Sequence, residues 1–363
     1  MSKGSVTARG AGLLRRLELE IPIIQAPMAG TSTPAMAAAA SNAGALGSMG
    51  IGAASVASAE KMIREARELS RRALNINVFC HAPAVADPKV ESAWIARLRA
   101  HFVRVGAEPP AALHEIYTSF LVDDAMLDLL VRLQPEVVSF HFGVPAAERL
   151  QALGKAGCLL VASVTSLAEA RIVVAAGVDA VIAQGYEAGG HRGVFDPLAP
   201  DDRLGTLALT RVLVEKLGGV PVIAAGGIMD GSGIAAALAL GAVAAQLGTA
   251  FVGCPESAAD EGYRAALRSE AAFHTVMTAA VSGRSARCLA NRFTQIGESV
   301  VPGEIPAYPV AYDAGKALHA AAKARREFGY GAQWAGQGAP LARTLPTAEL
   351  VRVLAAELAA AGS

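Results

Sequence analysis

The segment Gly185–Gly193 (GYEAGGHRG) places a glutamate, Glu187, and a histidine, His191, in a glycine-rich stretch. Histidine is the side chain whose ordinary pKa best suits proton transfer near neutral pH. Glycines allow the backbone to approach a bound ligand closely because they carry no side chain. The apolar run Ala180–Gln184 (AVIAQ) precedes this segment and is typical of a buried strand. A histidine-bearing loop after a buried strand predicts an enzyme, with His191 as the candidate catalytic residue.

Other predicted strands also end in side chains that would be wasteful in an apolar core. These side chains are Gln25, Met28, Asn77, His141, Ser163, Gln184 and Gln246. The C-terminal ends of the strands in a parallel barrel all meet on one face, so we expect these residues to share a pocket there. The remaining histidines lack this context, and we expect ordinary surface or loop residues at His81, His101, His114, His274 and His319.

Two glycine-containing turns suggest what this pocket holds. The seventh predicted strand ends in Ala225-Gly226-Gly227-Ile228, and the eighth contains Gln246-Leu247-Gly248-Thr249-Ala250. Loops after the last two strands of a barrel commonly bind phosphate through backbone N–H groups. The pair of turns therefore indicates a phosphorylated cofactor or substrate. The sequence contains no P-loop and no GxGxxG at a first strand–helix turn, so nothing marks a Rossmann dinucleotide site.

The elements that must position these residues repeat regularly along the chain. Eight short apolar runs predict strands at Pro22–Pro27, Leu46–Ile51, Leu74–Phe79, Val137–Phe142, Leu159–Val164, Ala180–Gln184, Pro221–Ala225 and Ala245–Phe251. Helical patterns separate most of them, at Thr33–Asn42, Ser58–Leu69, Ala146–Ala156, Ser166–Ala176, Thr210–Leu217 and Gly231–Leu240. This alternation predicts an α/β fold, a (β/α)8 TIM barrel. An open, six-stranded doubly wound sheet is the alternative, and it would leave two of the runs unassigned.

Two stretches fall outside this repeat. Residues 80–133 are too long for one strand–helix connection, and we expect an insertion after the third strand near the mouth of the barrel. Helical patterns continue at Ser257–Ser269, Ala314–Phe328 and Thr347–Ala361. We therefore expect a barrel over residues 1–252 and a mainly helical C-terminal subdomain over residues 253–363 that covers the active site.

Tyr308, Tyr312 and Lys316 are spaced four residues apart in YPVAYDAGK and would share one helical face if a helix begins near Pro309. These residues could simply form the partly buried face of an amphipathic helix. They could equally form a pocket wall, with the lysine paired with an anion.

Composition excludes several other classes of protein. The 363 residues contain 32 Lys+Arg and 32 Asp+Glu, and this zero net charge argues against a nucleic-acid or polybasic membrane-binding protein. The four cysteines lack metal-binding spacing, and no HxxxH or carboxylate cluster predicts a catalytic metal.

The N-terminus lacks the apolar stretch of a signal peptide, so we expect a cytoplasmic protein. The uncharged stretch Ile234–Cys254 has nearly membrane-spanning length, but it divides into a helix (Gly233–Leu240) and a strand (Ala244–Val252).

The set of motifs, taken in order, resembles the FMN-dependent nitronate monooxygenases, and most closely the class I bacterial enzymes. The motifs are QAPMAGTSTPAMAAAASNAGALGSMG, NINVF, SFHFG, ASVTSLAEA, QGYEAGGHRG, AAGGI, QLGTAF and YPVAYDAGK. The resemblance implies a TIM barrel with FMN held noncovalently at its mouth. It also implies oxidation of an alkyl nitronate, such as propionate 3-nitronate, by O2 to a carbonyl compound and nitrite.

The resemblance also assigns roles to individual residues. His191 matches the active-site histidine proposed as catalytic base. The positions that match substrate-pocket residues are His141, Tyr117, Tyr308, Tyr312 and Lys316. The expected FMN-contacting set is Gln25, Met28, Asn77, Gln184, Gly189, Gly226, Gly227, Gln246, Leu247, Gly248 and Thr249. Because a nitronate is already an anion, His191 is expected to orient it, and to act as a base only if neutral nitroalkanes are also used.

Two other functions remain open from the sequence. NAD(P)H-dependent flavin reductases of the same fold, of the enoyl-acyl carrier protein or quinone reductase type, have similar motifs. A barrel that binds a phosphorylated metabolite without redox chemistry would carry no flavin. The expected partners are a small nitronate and O2, without nucleic acid or membrane, and the chain could form a homodimer.

Overall fold

The computed structural model describes residues 3–301 and 303–361, which contain eleven strands and fourteen α-helices. The strands are β1 (Ile23–Gln25), β2 (Gly47–Gly50), β3 (Leu74–Phe79), β4 (Val137–His141), β5 (Leu159–Val164), β6 (Ala180–Gln184), β7 (Gly190–His191), β8 (Val222–Ala225), β9 (Ala244–Leu247), β10 (Thr275–Thr278) and β11 (Ala286–Leu289). The helices are α1 (Lys3–Arg16), α2 (Pro34–Asn42), α3 (Val56–Leu69), α4 (Pro88–Arg104), α5 (Asp124–Leu133), α6 (Ala147–Lys155), α7 (Leu167–Ala176), α8 (Thr206–Lys216), α9 (Gly231–Ala239), α10 (Thr249–Val252), α11 (Glu261–Leu267), α12 (Arg292–Glu298), α13 (Val310–Lys323) and α14 (Thr347–Ala361).

Eight of the strands form the predicted parallel barrel. Their order is β1-β9-β8-β6-β5-β4-β3-β2, and a parallel bridge between Ile24 and Leu46 brings the two ends of the sheet together. The strands are buried on both faces, as expected where helices cover a parallel sheet. The TIM barrel is therefore confirmed and the open six-stranded sheet is wrong.

Helix α1, which the sequence analysis did not predict, covers the N-terminal end of the barrel. Leu13 and Leu17 pack in one buried cluster with strand residues such as Ile24 and Val137. A Cβ at Gly10 would lie 2.2 Å from Cγ1 of Val243, so only glycine allows the helix to approach this closely. The barrel is closed at this end, and its opposite end carries the site.

Side-chain caps begin the barrel helices where the sequence changes from strand to helix. Thr33, Ser166 and Asp230 accept backbone N–H hydrogen bonds at the starts of α2, α7 and α9. The last helix, α14, packs on α2 and α9 and buries Leu350 and Leu354 in the outer core of the barrel. The division proposed at residue 252 stays a prediction, although α14 contacts the barrel wall.

The C-terminal part contains strands that the helical patterns did not predict. Strands β10 and β11 pair antiparallel, and β11 pairs with β7, the two-residue strand that contains His191. The eighth barrel strand was also predicted too long. It ends at Leu247 instead of Phe251, because the chain turns at Gly248 into the short helix α10.

The expected insertion after β3 contains α4 and packs against α13 of the C-terminal part. The uncharged stretch Ile234–Cys254 forms part of α9 followed by β9 and α10, and no described helix is long and apolar enough to cross a membrane. All four cysteines are buried free thiols.

Candidate active site

A cavity of about 580 Å³ opens at the C-terminal ends of the barrel strands. Its volume lies in the range of small-molecule and cofactor sites. The structure brings most of the predicted site residues to its wall. These are His191, His141, Tyr117, Tyr308, Tyr312, Lys316, Met28, Asn77, Gln184, Gly189, Gly226, Gly227, Gln246, Gly248 and Thr249. One shared pocket therefore contains both halves of the predicted site.

Two predicted cofactor-contacting residues do not line this cavity. Gln25 is fully buried, and its amide donates to Oγ of Ser32 while its carbonyl accepts from the Ser48 N–H. Gln25 therefore holds the turn after β1 instead of facing a ligand. The side chain of Leu247 packs in the barrel core.

Polar contacts hold the histidine loop in place. The amide of Gln184 donates to the His191 carbonyl at 2.9 Å and accepts from the Gly193 N–H at 2.7 Å. Glu187 accepts from the backbone N–H and the hydroxyl of Thr206, at the start of α8. Glu187 therefore caps a helix, and the residue in this loop that faces the cavity with titratable chemistry is His191.

The His191 ring is enclosed mainly by aromatic side chains. Its centroid lies 5.1 Å from that of Trp334, 5.2 Å from that of Tyr308 and 5.7 Å from that of Phe142. Its Nε2 lies 2.9 Å from Oγ of Ser282. Burial lowers the pKa of His191 to about 3, with nearby His141 and Arg284 acting in the same direction. His191 is therefore neutral at physiological pH.

His141 lies at the end of β4, beside the loop that carries His191. Its Nε2 lies 3.2 Å from the backbone oxygen of His191, and a carbonyl can only accept. His141 therefore carries its proton on Nε2. Burial lowers its pKa to about 4, against the opposing effect of this hydrogen bond. His141 is a second neutral histidine at the cavity.

Lys316 is the cationic group of the cavity, and no Asp or Glu among the described residues lines the wall. Its Nζ lies 4.6 Å from the ring centroid of Tyr117 and 5.2 Å from that of Tyr312. Burial lowers its pKa, and Asp313 opposes this effect. An ammonium held against aromatic faces, without a carboxylate in the pocket, favours a bound anion.

Tyr312 is prepared to donate a hydrogen bond. Burial raises its pKa to about 12, although a hydrogen bond from Trp334 acts in the opposite direction. The Trp334 carbonyl accepts from the hydroxyl of Tyr263, which fixes this segment beside the cavity. Because its pKa is raised, the Tyr312 hydroxyl keeps its proton at physiological pH and can donate it to a ligand.

Four further residues surround the two histidines and were not predicted as site residues: His81, Phe142, Arg284 and Trp334. His81, expected on the surface or in a loop, lies in a loop but is buried, with neither ring nitrogen hydrogen-bonded. The Arg284 guanidinium lies 4.1 Å from the ring centroid of Phe142, which has a φ of +73°. A positive φ is unusual for a bulky residue and often accompanies function. Two of the four had a local signal, since His81 lies two residues after β3 and Phe142 directly follows β4. Arg284 and Trp334 had none.

The part of the cavity that is predicted to hold the cofactor is lined by glycines and a few amides. Gly226 and Gly227 have φ values of +125° and +71°, and a Cβ on Gly226 would lie 2.7 Å from Oγ1 of Thr206. Oε1 of Gln246 is buried without a hydrogen-bond partner. The Thr249 hydroxyl accepts from the Gly336 N–H, which leaves its own proton available to a ligand. No group of His, Cys, Asp and Glu in the described ranges could hold a metal ion.

The neutral histidines make acid stability a test of this geometry. The pKa values of His81, His141 and His191 fall to about 4, 4 and 3, whereas an unfolded histidine titrates near 6.5. The unfolded chain therefore binds more protons below pH 6.5, and stability falls as the pH drops towards 4. We expect each of the three histidines to lower the free energy of unfolding by about 1–2 kcal/mol at pH 5, compared with pH 7.

Urea unfolding at pH 7 and pH 5 measures this loss. His81→Gln should reduce the difference between the free energies of unfolding at the two pH values. A His81→Gln variant with the wild-type difference would show that His81 is not held neutral by burial.

The fold and the site together define a TIM-barrel enzyme with a glycine-rich pocket that contains a neutral histidine. The chain belongs to the nitronate monooxygenase family, whose model matches residues 13–357. It is 62% identical to a nitronate monooxygenase of Paraburkholderia phytofirmans over 346 residues, covering 95% of this chain and 94% of the relative. It is 53% identical to a nitronate monooxygenase of Pseudomonas aeruginosa, covering 95% of this chain and 98% of the relative.

Solved structures agree with the family assignment. A nitroalkane oxidase from Streptomyces ansochromogenes superposes with a TM-score of 0.87 at 40% identity, over 96% of this chain and 98% of that chain. FabK from Thermotoga maritima superposes less closely, with a TM-score of 0.72 at 28% identity over 96% of each chain.

Proposed function

We propose that the chain is an FMN-dependent enzyme that oxidises alkyl nitronates, such as propionate 3-nitronate, with O2 to a carbonyl compound and nitrite. One observation carries this proposal: Lys316 provides a positive charge in a cavity whose described wall contains no Asp or Glu. The names of the relatives support the same reaction. We further propose a cytoplasmic location, and a homodimer remains an expectation.

The volume and the lining residues of the cavity support FMN as the cofactor. The glycines at the ends of β8 and β9 form a cradle, and the orphaned Oε1 of Gln246 can accept from a ligand N–H. Residues that would hold the group are Met28, Asn77, Gly226, Gly227, Gln246 and Gly248. When bound, FMN supplies redox chemistry and O2 reactivity that no side chain here offers.

The chain's own residues bind and orient the substrate. Lys316 and the hydroxyl of Tyr312 donate hydrogen bonds to the nitronate oxygens, which favours the anion over a neutral analogue. Phe142, Tyr308 and Trp334 exclude water around the His191 ring. In this dry setting each charge-assisted hydrogen bond contributes more than it would in water.

A cavity-filling substitution at Gly248 tests the cofactor assignment. A Cβ at this position meets the Ala26 Cβ at 3.6 Å and the Met28 Sδ at 3.7 Å, which are ordinary contacts. We therefore expect Gly248→Ala to fold and to retain flavin. Gly248→Leu would place its branch in the cavity and should weaken FMN binding at least about 10-fold, because it overlaps the proposed flavin position.

Fluorescence titration with FMN measures both affinities. Gly154→Leu, on an exposed helix position with nothing within 4 Å of its Cβ, is the control that should bind FMN normally. Equal FMN affinity in Gly248→Leu and the wild type would contradict the proposed cofactor position.

Absorbance and NADPH oxidation separate the rival functions. A protein that is purified yellow, or takes up added FMN, supports a flavoprotein over a barrel without redox chemistry. A flavin reductase would be reduced rapidly by NAD(P)H and would release no nitrite from propionate 3-nitronate. We expect slow flavin reduction by NAD(P)H and release of nitrite from propionate 3-nitronate.

A further inference from the structure

Ser282 links the candidate catalytic histidine to the backbone of the C-terminal part. It lies in the loop between β10 and β11, and its side chain is fully buried. Its Oγ is 2.9 Å from Nε2 of His191 and 3.2 Å from the carbonyl oxygen of Arg284. The next residue, Gly283, has a φ of +90°, and a Cβ there would lie 2.5 Å from the Pro306 carbonyl oxygen. Glycine at 283 thus allows this loop to pack beside the segment that carries Tyr308.

The positions of the protons follow from counting donors and acceptors. A serine hydroxyl has one proton to donate, and a carbonyl oxygen can only accept. If Oγ donates to Arg284, then Nε2 must donate to Oγ, and both hydrogen bonds form. If Oγ instead donates to Nε2, the Arg284 carbonyl loses its donor and only one hydrogen bond remains. Because an unmade buried hydrogen bond is costly, the first arrangement is favoured.

The other ring nitrogen of His191 has no such partner. Nδ1 makes no hydrogen bond to any residue in the described part of the chain, and His191 lines the cavity. Aromatic side chains pack around the ring, so Nδ1 is the ring nitrogen available to a ligand.

We infer that Ser282 is a positioning residue that holds His191 in the Nε2–H tautomer, so that Nδ1 faces the cavity as a hydrogen-bond acceptor. An acceptor cannot donate to a nitronate oxygen. Anion binding therefore depends on Lys316 and Tyr312, and His191 is suited to receive a proton. The tautomer itself does not depend on the proposed function, whereas its consequence for catalysis does.

The consequence is a proton transfer from a neutral nitroalkane. Nδ1 takes the proton from the carbon that bears the nitro group, and the C–H electron pair forms the C=N bond. An N=O electron pair moves to oxygen, which gives the nitronate. The resulting imidazolium keeps its Nε2–H hydrogen bond to Ser282, so the serine stabilises the charged form as well as the tautomer.

Long-range proton–nitrogen NMR correlations on protein labelled with ¹⁵N-histidine test the tautomer directly. The His191 signals are assigned by their loss in His191→Asn. We expect a protonated Nε2 and a bare Nδ1 in the wild type, and a larger Nδ1–H fraction in Ser282→Ala. A wild-type spectrum with Nδ1 protonated, or an unchanged tautomer ratio in Ser282→Ala, would overturn the inference. The wild-type spectrum decides even if the variant does not fold.

Kinetics give the second readout. We expect Ser282→Ala to lower kcat/KM for nitroethane about 10-fold, which is the size of one hydrogen bond. Ser285→Ala, at an exposed position of the same loop, should have wild-type kinetics. If the wild type gives the expected NMR spectrum but does not turn over nitroethane, the proposed proton transfer is wrong. The tautomer assignment would still hold.

Discussion

Replacing His191 by asparagine should lower kcat/KM for a neutral nitroalkane such as nitroethane by about 100-fold. Asparagine is not basic, so it cannot take the proton that must leave carbon before oxidation. The same variant should lose less than about 10-fold with a preformed nitronate, because that substrate has already lost its proton. Parallel measurements of nitrite release with both substrates give the comparison.

The decrease of kcat/KM for the nitroalkane, relative to that for the nitronate, distinguishes the two roles of His191. His274→Asn, at an exposed histidine, is the control and should have wild-type kinetics. Equal losses with the nitroalkane and the nitronate would contradict a role as base. Such a result would mean that His191 orients the nitronate, which is the role expected from the sequence when only nitronates are used.

Replacing Lys316 by methionine should raise KM for propionate 3-nitronate about 30-fold, with a much smaller effect on a neutral nitroalkane. A hydrogen bond from a charged donor contributes about 1.5–3 kcal/mol, and about 2 kcal/mol corresponds to this factor. Methionine keeps a long, flexible side chain against the rings of Tyr117 and Tyr312, so the packing changes little.

Lys323→Met is the matched control, since Lys323 lies on the same helix but is half-exposed and paired with Asp260. An equal rise of KM for neutral and anionic substrates would contradict the proposed recognition of charge.

The pH dependence of anion binding has a defined sign. Burial lowers the pKa of Lys316, so its charge and the affinity for a permanent anion should be lost as pH rises through that pKa. Lys316→Arg should retain this affinity to higher pH.

The barrel was predictable because its strands are short apolar runs that end at glycine turns and alternate with helical patterns. Other features were not: helix α1, the strands β7, β10 and β11, and the end of the eighth barrel strand. Helix α1 covers the N-terminal end of the barrel because Leu13 and Leu17 pack against residues of the barrel strands. No local sequence pattern indicates these contacts. Strand β7 has only two residues and exists because β11 pairs with it. The eighth barrel strand ends early because Gly248 redirects an apolar run into a helix.

The site was predictable where a strand end or a helical spacing marked it. His141 ends β4, and His191 lies in the loop region after β6. Tyr312 and Lys316 lie on α13, which begins at Val310, whereas Tyr308 precedes this helix. The same rule selected Gln25, although its amide is used within the protein. A strand end shows where a side chain lies, but not whether its hydrogen bonds are already made.

Residues far apart in the sequence supply the rest of the site. Ser282 and Trp334 lie in irregular segments, and only the antiparallel pairing of β7 with β11 brings Ser282 to His191. His81 lies two residues after β3, so the strand-end rule could have found it. Its two unpartnered ring nitrogens become visible only in the folded chain.

Nitrite release coupled to O2 consumption is the most direct test of the central claim. Protein loaded with FMN is mixed with propionate 3-nitronate, and nitrite and O2 are followed together. We expect nitrite to accumulate as O2 is consumed, without any NAD(P)H present. Absence of nitrite from a fully flavin-loaded protein, together with rapid flavin reduction by NAD(P)H, would contradict it.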